Sequence, residues 1–534
     1  MAARSAQGVV LFNPVSIVHY RNIKLFDGHI GGYRTRCVLN PKFPWFSKRD
    51  KSDYEVSYMA GGRALPGVFD GVKAMVVFSA QPRAASCHLI QEAALRSIPV
   101  IAIEEVYQMM LEQGYVNEYF LPVDHLFAGS GYEREKFVDF GIPAESVEVT
   151  GCIFDYPPTH TDRIALRERL GLAGNNRVAT LSLAYQTPSG ETLEVRRKLL
   201  EIVSESLPEG YDLVVKPHPA EQDEDIASYV KRFAPRAKVA DKFSPIGDIL
   251  SITDVLLNRG NSQVIINALQ RKVPVIAIPM GRKIFLEGLL DRVVVKDADG
   301  LKKAFAAVSA EGFDLYEPVF ARYLNITASE ALKTALSRIK DIADNKKVLR
   351  REPRLFEIAL FWAWMGYVSQ AKDLLKKIYC MDGARGLPLD DIGRLISFKA
   401  DDETIRRLIA WSGPGYRGWV VRSLWIKAKY MTMSGFSREE KESLGDFPPR
   451  ANREYFIPAA VMLCWCYLRA GMRDEFKSIF GKVSDEYWYL KEVEALDKMA
   501  GSSSPAFGKL GYWKTRAAFE KGLFLRNLAW RIGA

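Results

Sequence analysis

No stretch of this sequence is apolar for long enough to cross a membrane. The longest apolar run, residues 457–468, is shorter than the roughly 18 residues that a span needs, so it predicts a buried helix. Residues 1–8 lack the apolar core of a secretory signal. The 6 cysteines are scattered, without zinc-type spacing or a disulfide framework. We therefore expect a cytoplasmic protein from a reducing compartment.

The composition is that of a folded chain with more than one domain. Hydrophobic residues make up 48% and charged residues 26% of the 534 residues, as is typical of globular proteins. A chain of this length is too long for a single hydrophobic core, so two or three domains are expected.

Strand-length apolar runs alternate with helix-like segments up to about residue 340. The runs in the first part are residues 9–12, 74–78, 100–103, 125–128 and 147–150. Such alternation predicts parallel sheets with right-handed crossovers. The predicted fold class is α/β, with two Rossmann-like domains, residues 1–158 and 159–343, that face each other across a cleft.

Beyond about residue 345 helical spacing replaces the strand-like runs. Residues 371–378 resemble residues 476–483, and glycines or polar turns fall between them at steps near 34 residues. This spacing predicts an all-α domain, residues 344–508, of TPR-like helix pairs. An irregular helical bundle is the alternative. Helical repeats of this kind are expected to offer a surface for a protein partner.

The last segment, residues 509–534, is basic and aromatic. It holds six lysines and arginines against one acid, Glu520. Four aromatic residues are interleaved with these charges, namely Trp513, Phe519, Phe524 and Trp530. Basic and aromatic residues together favour an anionic surface, so we expect peripheral contact with the inner face of the membrane. A final helix packed on the repeats is the alternative, and no nucleic-acid module is visible.

One strand-like run ends in a lysine and a histidine between two prolines. The segment from Leu213 to Pro219 has the sequence LVVKPHP. Proline fixes φ, so the flanking prolines hold His218 in a defined, non-helical conformation. The C-terminal end of a buried parallel strand opens onto the ligand crevice of an α/β domain. Lys216 and His218 are therefore suited to a phosphate or a leaving-group oxygen, and a plain surface turn is the alternative.

A second strand-like run ends in a small polar turn before a helix. Residues 254–262 have the sequence DVLLNRGNS, and residues 263–269 are helix-like. The turn would present backbone N–H groups and the Ser262 hydroxyl at a helix N-terminus, which favours an anion. An ordinary helix cap by Ser262 is the alternative.

Together these segments resemble the C-terminal half of a GT-B glycosyltransferase. The shared pattern is a strand ending in KPHP, a spacing of 44 residues from His218 to Ser262, a strand ending in RGNS, a helix, and a further strand at residues 273–278. Bacterial sialyltransferases, capsule Kdo transferases and CDP-glycerol glycerophosphotransferases show this pattern. The resemblance implies that the two turns bind the nucleotide and its phosphate. Three residues match the family positions one by one, namely His218, Pro219 and Ser262, and the candidate binding residues beside them are Lys216, Arg259, Gly260 and Asn261.

Glycosyl transfer also needs a base or a nucleophilic carboxylate. Glu104 and Glu105 follow the strand-like residues 100–103, where they would face the donor across the cleft. A helix-capping role for Glu105 is the alternative. Asp27, in an Asp-Gly turn after the first strand, is a second candidate, and Asp155 a weaker third.

Four further charged residues have an ordinary surface role as their alternative. Arg282 and Lys283 are placed to meet a sugar carboxylate, although surface charges are usually only solvated. Asp297 and Asp299 flank an alanine in a pattern that fits a helix N-terminus better than a metal site. We therefore predict no metal and no cofactor, with the nucleotide-sugar donor acting as a substrate.

The leading hypothesis is a glycosyltransferase that moves a sugar from a nucleotide-activated donor to a surface polysaccharide or lipid-linked acceptor. The resemblance favours a CMP-linked acidic sugar, such as Kdo or sialic acid, as donor. The alternatives are a CDP-polyol phosphotransferase, an enzyme like the UDP-N-acetylglucosamine 2-epimerases, and a scaffold with a degenerate transferase core. Binding of CMP, CDP or UDP would distinguish an enzyme from a scaffold.

Overall fold

A computed structural model provides the coordinates of this chain. It describes residues 8–41, 55–60, 63–64, 66–78, 84–104, 123–139, 142–153, 162–172, 174–184, 192–219, 221, 225–260, 262–280, 288, 290–346, 348–349, 351–364, 367–413, 416–432, 434–444 and 456–487. Among the helices of these ranges, none combines the length and apolarity that a membrane span requires.

The first sheet has eight strands. In chain order they are β1 Gly8–Asn13, β2 Tyr33–Leu39, β3 Glu55–Ala60, β4 Arg63–Ala64, β5 Val72–Phe78, β6 Val100–Ile103, β7 His125–Ala128 and β8 Val147–Val149. Their spatial order is β4-β3-β2-β1-β5-β6-β7-β8, and all pairs are parallel except β3 with β4. The order reverses between β1 and β5, so the C-terminal ends of these two strands flank the crevice of the sheet.

The second sheet has five parallel strands. They are β9 Arg177–Ser182, β10 Tyr211–Lys216, β11 Lys238–Val239, β12 Val255–Asn258 and β13 Val275–Ala277. Their spatial order is β11-β10-β9-β12-β13. The chain therefore starts at the centre, builds outward to β11, and returns to the other side of β9.

Helices cover both faces of each sheet. Those of the sheet-containing part are Ile17–Asn22, Ala84–Leu95, Gly131–Asp139, Arg163–Arg169, Leu193–Ser206, Ile226–Phe233, Ile246–Ser251, Val264–Gln270, Ala298–Glu311, Glu317–Arg322 and Ala328–Asn345. The strands are continuous apolar runs in the sequence because both of their faces are buried, as alternate residues of β1 show. Val9 and Leu11 face one buried cluster, whereas Val10 and Phe12 face the other. The predicted class, two α/β units with parallel sheets followed by an all-α region, is confirmed.

Three strands of the first sheet were not predicted from the sequence. In β2 the residues Arg34, Thr35 and Arg36 are polar, so it lacks the apolar run that marked the other strands. Arg36 is nevertheless buried, because its Nη1 donates to the carbonyl oxygens of Val68 at 2.8 Å and Asp70 at 2.9 Å. A buried arginine is tolerated where the backbone satisfies its donors. β3 and β4 lie toward the outer edge beyond β2.

The last helix assigned to residues 159–343 packs on the other domain. Ala335, Ile339 and Ile342 of the helix Ala328–Asn345 belong to the buried cluster that contains Val10 and Phe12 of β1. This placement corrects the boundary near residue 343, because the chain has returned to the first sheet before that point. The sequence did not predict this packing, because the pattern of an amphipathic helix does not specify which sheet buries its apolar face.

In the described residues that follow, eight α-helices form four successive pairs along the chain. They are Arg351–Trp364 with Val368–Tyr379, Leu389–Ile396 with Asp402–Ser412, Tyr416–Met431 with Arg438–Leu444, and Phe456–Arg469 with Arg473–Tyr487. Their second helices begin at residues 368, 402, 438 and 473, which agrees with the predicted spacing near 34 residues. The first helices are less regular, since that of the second pair has only 8 residues and that of the first pair packs against that of the third. A TPR assignment stays a prediction.

The helical pairs share a hydrophobic core with the first sheet. One buried cluster runs from Met75 and Ile90 through Leu355 and Trp362 to Trp465. At this seam the Trp362 indole N–H donates to the Gln91 side-chain oxygen at 2.7 Å. The helical part is therefore packed onto the first domain rather than attached as an independent module.

Candidate functional site

The two predicted turns lie at the same edge of the second sheet. Lys216, at the end of β10, is paired in register with Ser182 at the end of β9. Asn258, at the end of β12, is paired with the same Ser182 from the other side. Neighbouring strands are about 4.8 Å apart, so roughly 10 Å separates the ends of β10 and β12. Lys216 and Asn258, 42 positions apart in sequence, thus lie at the same edge of one sheet.

Lys216 fastens the KPHP turn to its surroundings. Its side chain is buried, and its ammonium donates to the carbonyl oxygens of Pro217 at 2.9 Å and Lys242 at 2.8 Å. Burial lowers the pKa of Lys216 to about 8, while Asp241 opposes that shift. At neutral pH the group is still mostly protonated, and its positive charge lies beneath the turn.

His218 is half-buried above this lysine. Burial and, to a smaller extent, the Lys216 charge lower the pKa of His218 to about 4, although Glu221 acts in the opposite direction. The imidazole is therefore neutral at pH 7. A neutral imidazole has one N–H donor and one acceptor nitrogen. Such a group can donate a hydrogen bond to a phosphate oxygen without carrying a charge of its own.

A buried ion pair supports the turn from behind. The Arg196 guanidinium contacts the Glu221 carboxylate at 2.6 Å, and both side chains are 0% exposed. The Arg196 guanidinium also donates to the carbonyl oxygen of Ala184, just after β9, at 3.1 Å. The Glu221 backbone N–H donates to the His218 carbonyl at 2.9 Å. The sequence analysis did not predict a role for these two residues. In the sequence, Glu221 is only an acid three positions after the histidine, and Arg196 is only an arginine in an amphipathic helix.

The turn after β12 is tight and mostly buried. Gly260 has φ +84°, a conformation that favours glycine, and its N–H donates to the Asn258 side-chain oxygen at 2.9 Å. The Ser262 hydroxyl accepts from the Val264 N–H at 3.4 Å, as a helix cap would. Arg259 is 2% exposed and donates to the Pro279 carbonyl at 3.4 Å. Asn261 lies outside the described residues.

A loop that the sequence analysis did not consider borders the KPHP turn. It follows β11 and contains Asp241, Lys242 and Phe243. The Lys242 ammonium donates to the Glu221 carbonyl at 2.8 Å, so the loop and the turn hold each other at two points. Phe243 is 43% exposed. Its only advance signal was an aromatic residue after a short strand.

The two candidate acids that the structure describes lie at different places in the first domain. Glu104 follows β6 directly, at the C-terminal edge of the first sheet, and is 9% exposed. Asp27 does not follow β1 directly, because the helix Ile17–Asn22 intervenes. Asp27 lies in the connection to β2, whose first residue Tyr33 pairs with Gly8 at the opposite edge. Glu105, Asp155, Arg282 and Lys283 lie outside the described residues.

A histidine near the crevice of the first sheet was overlooked. His19 is buried, and its ring lies 5.4 Å from that of Phe78, the last residue of β5. Its Nδ1 accepts from the Val15 N–H at 3.4 Å. Because β1 and β5 flank the point where the strand order reverses, His19 is a further candidate base.

The absence of a metal stays a prediction. In the part of the chain with described coordinates, no group of three or more His, Cys, Asp or Glu side chains is placed to hold a metal ion. Asp297 does cap a helix, as predicted, and its carboxylate accepts from the Gly300 N–H at 2.8 Å.

Comparisons with known proteins give partial similarities. No protein-family model matches the chain. A 3-deoxy-D-manno-octulosonic acid transferase of Chlamydia pneumoniae is 27% identical over 118 residues, which are 21% of this chain and 25% of that enzyme. The chain thus matches only a quarter of that relative's length.

Two solved structures align with about two thirds of the chain. A glycosyltransferase from Rickettsia africae aligns with 64% of this chain and 99% of its own, with 14% identity and a TM-score of 0.43. The UDP-GlcNAc 2-epimerase from Neisseria meningitidis, bound to UDP-GlcNAc, aligns with 62% of this chain and 99% of its own, with 12% identity and a TM-score of 0.43. Similarities with these identities and TM-scores do not assign a function to this chain.

Proposed function

We propose that this protein is a glycosyltransferase that takes its sugar from a nucleotide-activated donor. The observation that carries the proposal is the convergence of the His218 turn and the Gly260–Ser262 turn on one crevice of the second sheet. Nucleotides bind at such carboxyl-terminal edges of parallel sheets. The sequence similarity to a sugar transferase supports the same reading.

Each turn has a distinct part in holding the donor phosphate. The neutral His218 imidazole donates to a phosphate oxygen, and its rigid mounting keeps that donor in place while charge builds on the leaving phosphate. The Ser262 hydroxyl and the turn around Gly260 contact the phosphate from the other side of β9. The Lys216 ammonium donates hydrogen bonds to two backbone carbonyls, so Lys216 stabilises the His218 turn from beneath. Arg259 adds a buried positive charge.

The acid for the chemical step comes from the first sheet. Glu104, or Glu105 beside it, removes the acceptor proton or attacks the sugar as a nucleophile. The favoured donor is a CMP-linked acidic sugar, and the similarity to a 3-deoxy-D-manno-octulosonic acid transferase supports the acidic sugar. The acceptor is a growing surface glycan or a lipid-linked glycan, and residues 509–534 bring the enzyme to an anionic membrane surface. No metal takes part in this proposal.

Nucleotide binding tests the proposal directly. Calorimetry with CMP, CDP and UDP should show that at least one of them binds the wild-type chain. His218→Ala should keep the fold and reduce binding or turnover by about 10²-fold, the order of magnitude for loss of one donor to a developing charge. His29→Ala, at an exposed histidine outside the site, is the matched control and should behave as wild type. Absence of binding to all three nucleotides would favour a scaffold instead.

A further inference from the structure

A buried hydrogen bond joins the two α/β domains close to the candidate acid of the first sheet. The Tyr323 hydroxyl donates to Glu133 Oε1 at 2.6 Å, and the two side chains are 4% and 2% exposed. Tyr323 belongs to the buried cluster of the second sheet, which also contains Val275 of β13. Glu133 lies in the helix Gly131–Asp139, which follows β7 of the first sheet. We call this contact the interdomain bond.

Glu133 also fixes the backbone at the end of β7. Its Oε2 accepts from the Gly129 N–H at 2.5 Å, and its own N–H donates to the Ser130 hydroxyl at 3.1 Å. A Cβ at residue 129 would lie only 2.9 Å from Glu133 Oε2, so the glycine lets the carboxylate approach the backbone. Because both carboxylate oxygens accept bonds from the protein, Glu133 supports the loop and is not a reacting group.

The loop that Glu133 holds lies beside Glu104. β6 and β7 are parallel, with Ile103 opposite Phe127, and the Glu104 N–H donates to the Phe127 carbonyl at 3.4 Å. The residues that follow β7 are therefore about one strand spacing, roughly 4.8 Å, from Glu104. Through Glu133, a tyrosine of the second domain is thus connected to the strand next to the candidate acid.

A second contact lies directly beside the interdomain bond. The Arg322 guanidinium lies 4.2 Å from the centre of the Tyr132 ring, a distance at which a cation is attracted to the face of an aromatic ring. Tyr132 also packs against the buried cluster of the second sheet. Two consecutive residues of the first domain therefore contact two consecutive residues of the second, which fixes orientation as well as distance.

We propose that Tyr323 and Glu133 are positioning residues for sugar transfer. Their bond holds the edge of the first sheet that carries Glu104 in place relative to the phosphate site at His218 and Ser262. The inference rests on the proposed function, which puts the acid and the donor phosphate on different domains. A misplacement of reacting groups by about 1 Å can lower a rate by about 10²-fold. The interdomain bond therefore acts on turnover without touching the donor.

The test compares two buried tyrosine hydroxyls. Tyr323→Phe removes the interdomain bond, whereas Tyr316→Phe removes a hydroxyl that bonds to the carbonyl and N–H of Val275, at 2.7 and 2.9 Å, within the second domain. Both substitutions should lower the melting temperature. Only Tyr323→Phe should lower the release of CMP from CMP-Kdo, by about 10²-fold, with unchanged affinity for CMP in calorimetry. Equal turnover in the two variants would show that the hydroxyl of Tyr323 serves stability alone, and the inference would fail.

The variant Glu133→Gln tests whether the role of this residue is positional. The glutamine amide can accept from the Gly129 N–H and donate to the hydroxyl oxygen of Tyr323, so most of the turnover should be retained. Complete loss of turnover with unchanged CMP affinity would identify Glu133 as a reacting acid and would contradict a positioning role.

Spin labels measure the same effect without any ligand. Glu145→Cys in the first domain and Glu209→Cys in the second, both at exposed positions, would carry the labels in a chain with the exposed cysteine removed by Cys380→Ser. The distance distribution from pulsed EPR should be broader after Tyr323→Phe than in wild type or after Tyr316→Phe. Equal widths would overturn the inference, whatever the turnover.

Failure of the proposed function would be visible separately. If the wild-type chain binds none of CMP, CDP and UDP, the proposed function fails and the role in sugar transfer falls with it. The label distances would still show whether the interdomain bond fixes the two domains. If a nucleotide binds but the widths are equal, the proposed function stands and only the positioning role is lost.

Discussion

Arg354 and Asp124 form a buried ion pair that joins the helical part of the chain to the first sheet. Their side chains are 3% and 0% exposed, respectively. The Asp124 carboxylate also accepts from the N–H of Val100, at the start of β6, at 2.8 Å, and from the N–H of Leu349 at 2.6 Å. One carboxylate thus connects β6, the strand that precedes Glu104, to the start of the helical pairs.

Breaking this pair should destabilise the protein strongly. Arg354→Met leaves the Asp124 carboxylate buried without its cation, and loss of one partner of a buried pair costs about 3–5 kcal/mol. Urea unfolding of the variant measures this change. Arg292→Met removes the cation of an exposed pair with Glu311 and should cost less than about 1 kcal/mol. If the two substitutions lowered the free energy of unfolding equally, the buried pair would contribute no more to stability than the exposed pair.

The depressed pKa of His218 predicts how stability depends on pH. In the unfolded chain the imidazole has its usual pKa of about 6.5, whereas in the folded protein the pKa is about 4. The unfolded state therefore binds a proton first as the pH falls. The contribution of the neutral imidazole is fully present above pH 6.5 and is lost as the pH falls toward 4.

The variant His218→Gln tests this pH dependence, because glutamine has no proton to gain. Melting temperatures measured between pH 7.5 and 4.5 should fall less steeply for the variant than for wild type. Parallel curves would mean that the folded protein does not disfavour the charged imidazole, and the assignment of a neutral donor would be wrong.

The acid of the first sheet should act in the chemical step and not in donor binding. Glu104→Gln and Glu105→Gln keep size and hydrogen bonding but remove basicity. In the variant that lacks the working acid, transfer should fall by about 10²- to 10⁴-fold while nucleotide affinity is retained. Single-turnover assays beside calorimetry separate the two quantities. Full activity in both variants would make His19 the next candidate for the catalytic base.

The tail should bind anionic membranes if the peripheral-membrane prediction is correct. Each basic residue near an anionic surface contributes about 1 kcal/mol. Full-length protein should therefore sediment with anionic liposomes at low salt and be released at high salt. Deletion of residues 509–534 should abolish sedimentation but preserve folding and activity on a soluble acceptor. A truncated protein that aggregates, beside a full-length protein that ignores liposomes, would instead assign the tail to the fold.

The sequence alone determined those parts of this protein that depend on local pattern. Apolar runs marked β1, β5, β6, β7 and the strands β9, β10, β12 and β13, because strands buried on both faces show their burial in composition. Proline and glycine marked the turns at His218 and Gly260, because few residues adopt those backbone conformations. The spacing near 34 residues in the helical part was visible because helix pairs recur along the chain.

Tertiary structure decided what the side chains contact. Lys216 looked like a phosphate ligand, yet its ammonium is occupied by the carbonyls of Pro217 and Lys242, and the second of these comes from a loop 26 residues away. Arg196 and Glu221 meet because β9 and β10 are neighbours. The loop that contains Phe243 lies beside the His218 turn because β11 pairs with β10. Such partners are set by strand order and register, which no local pattern contains.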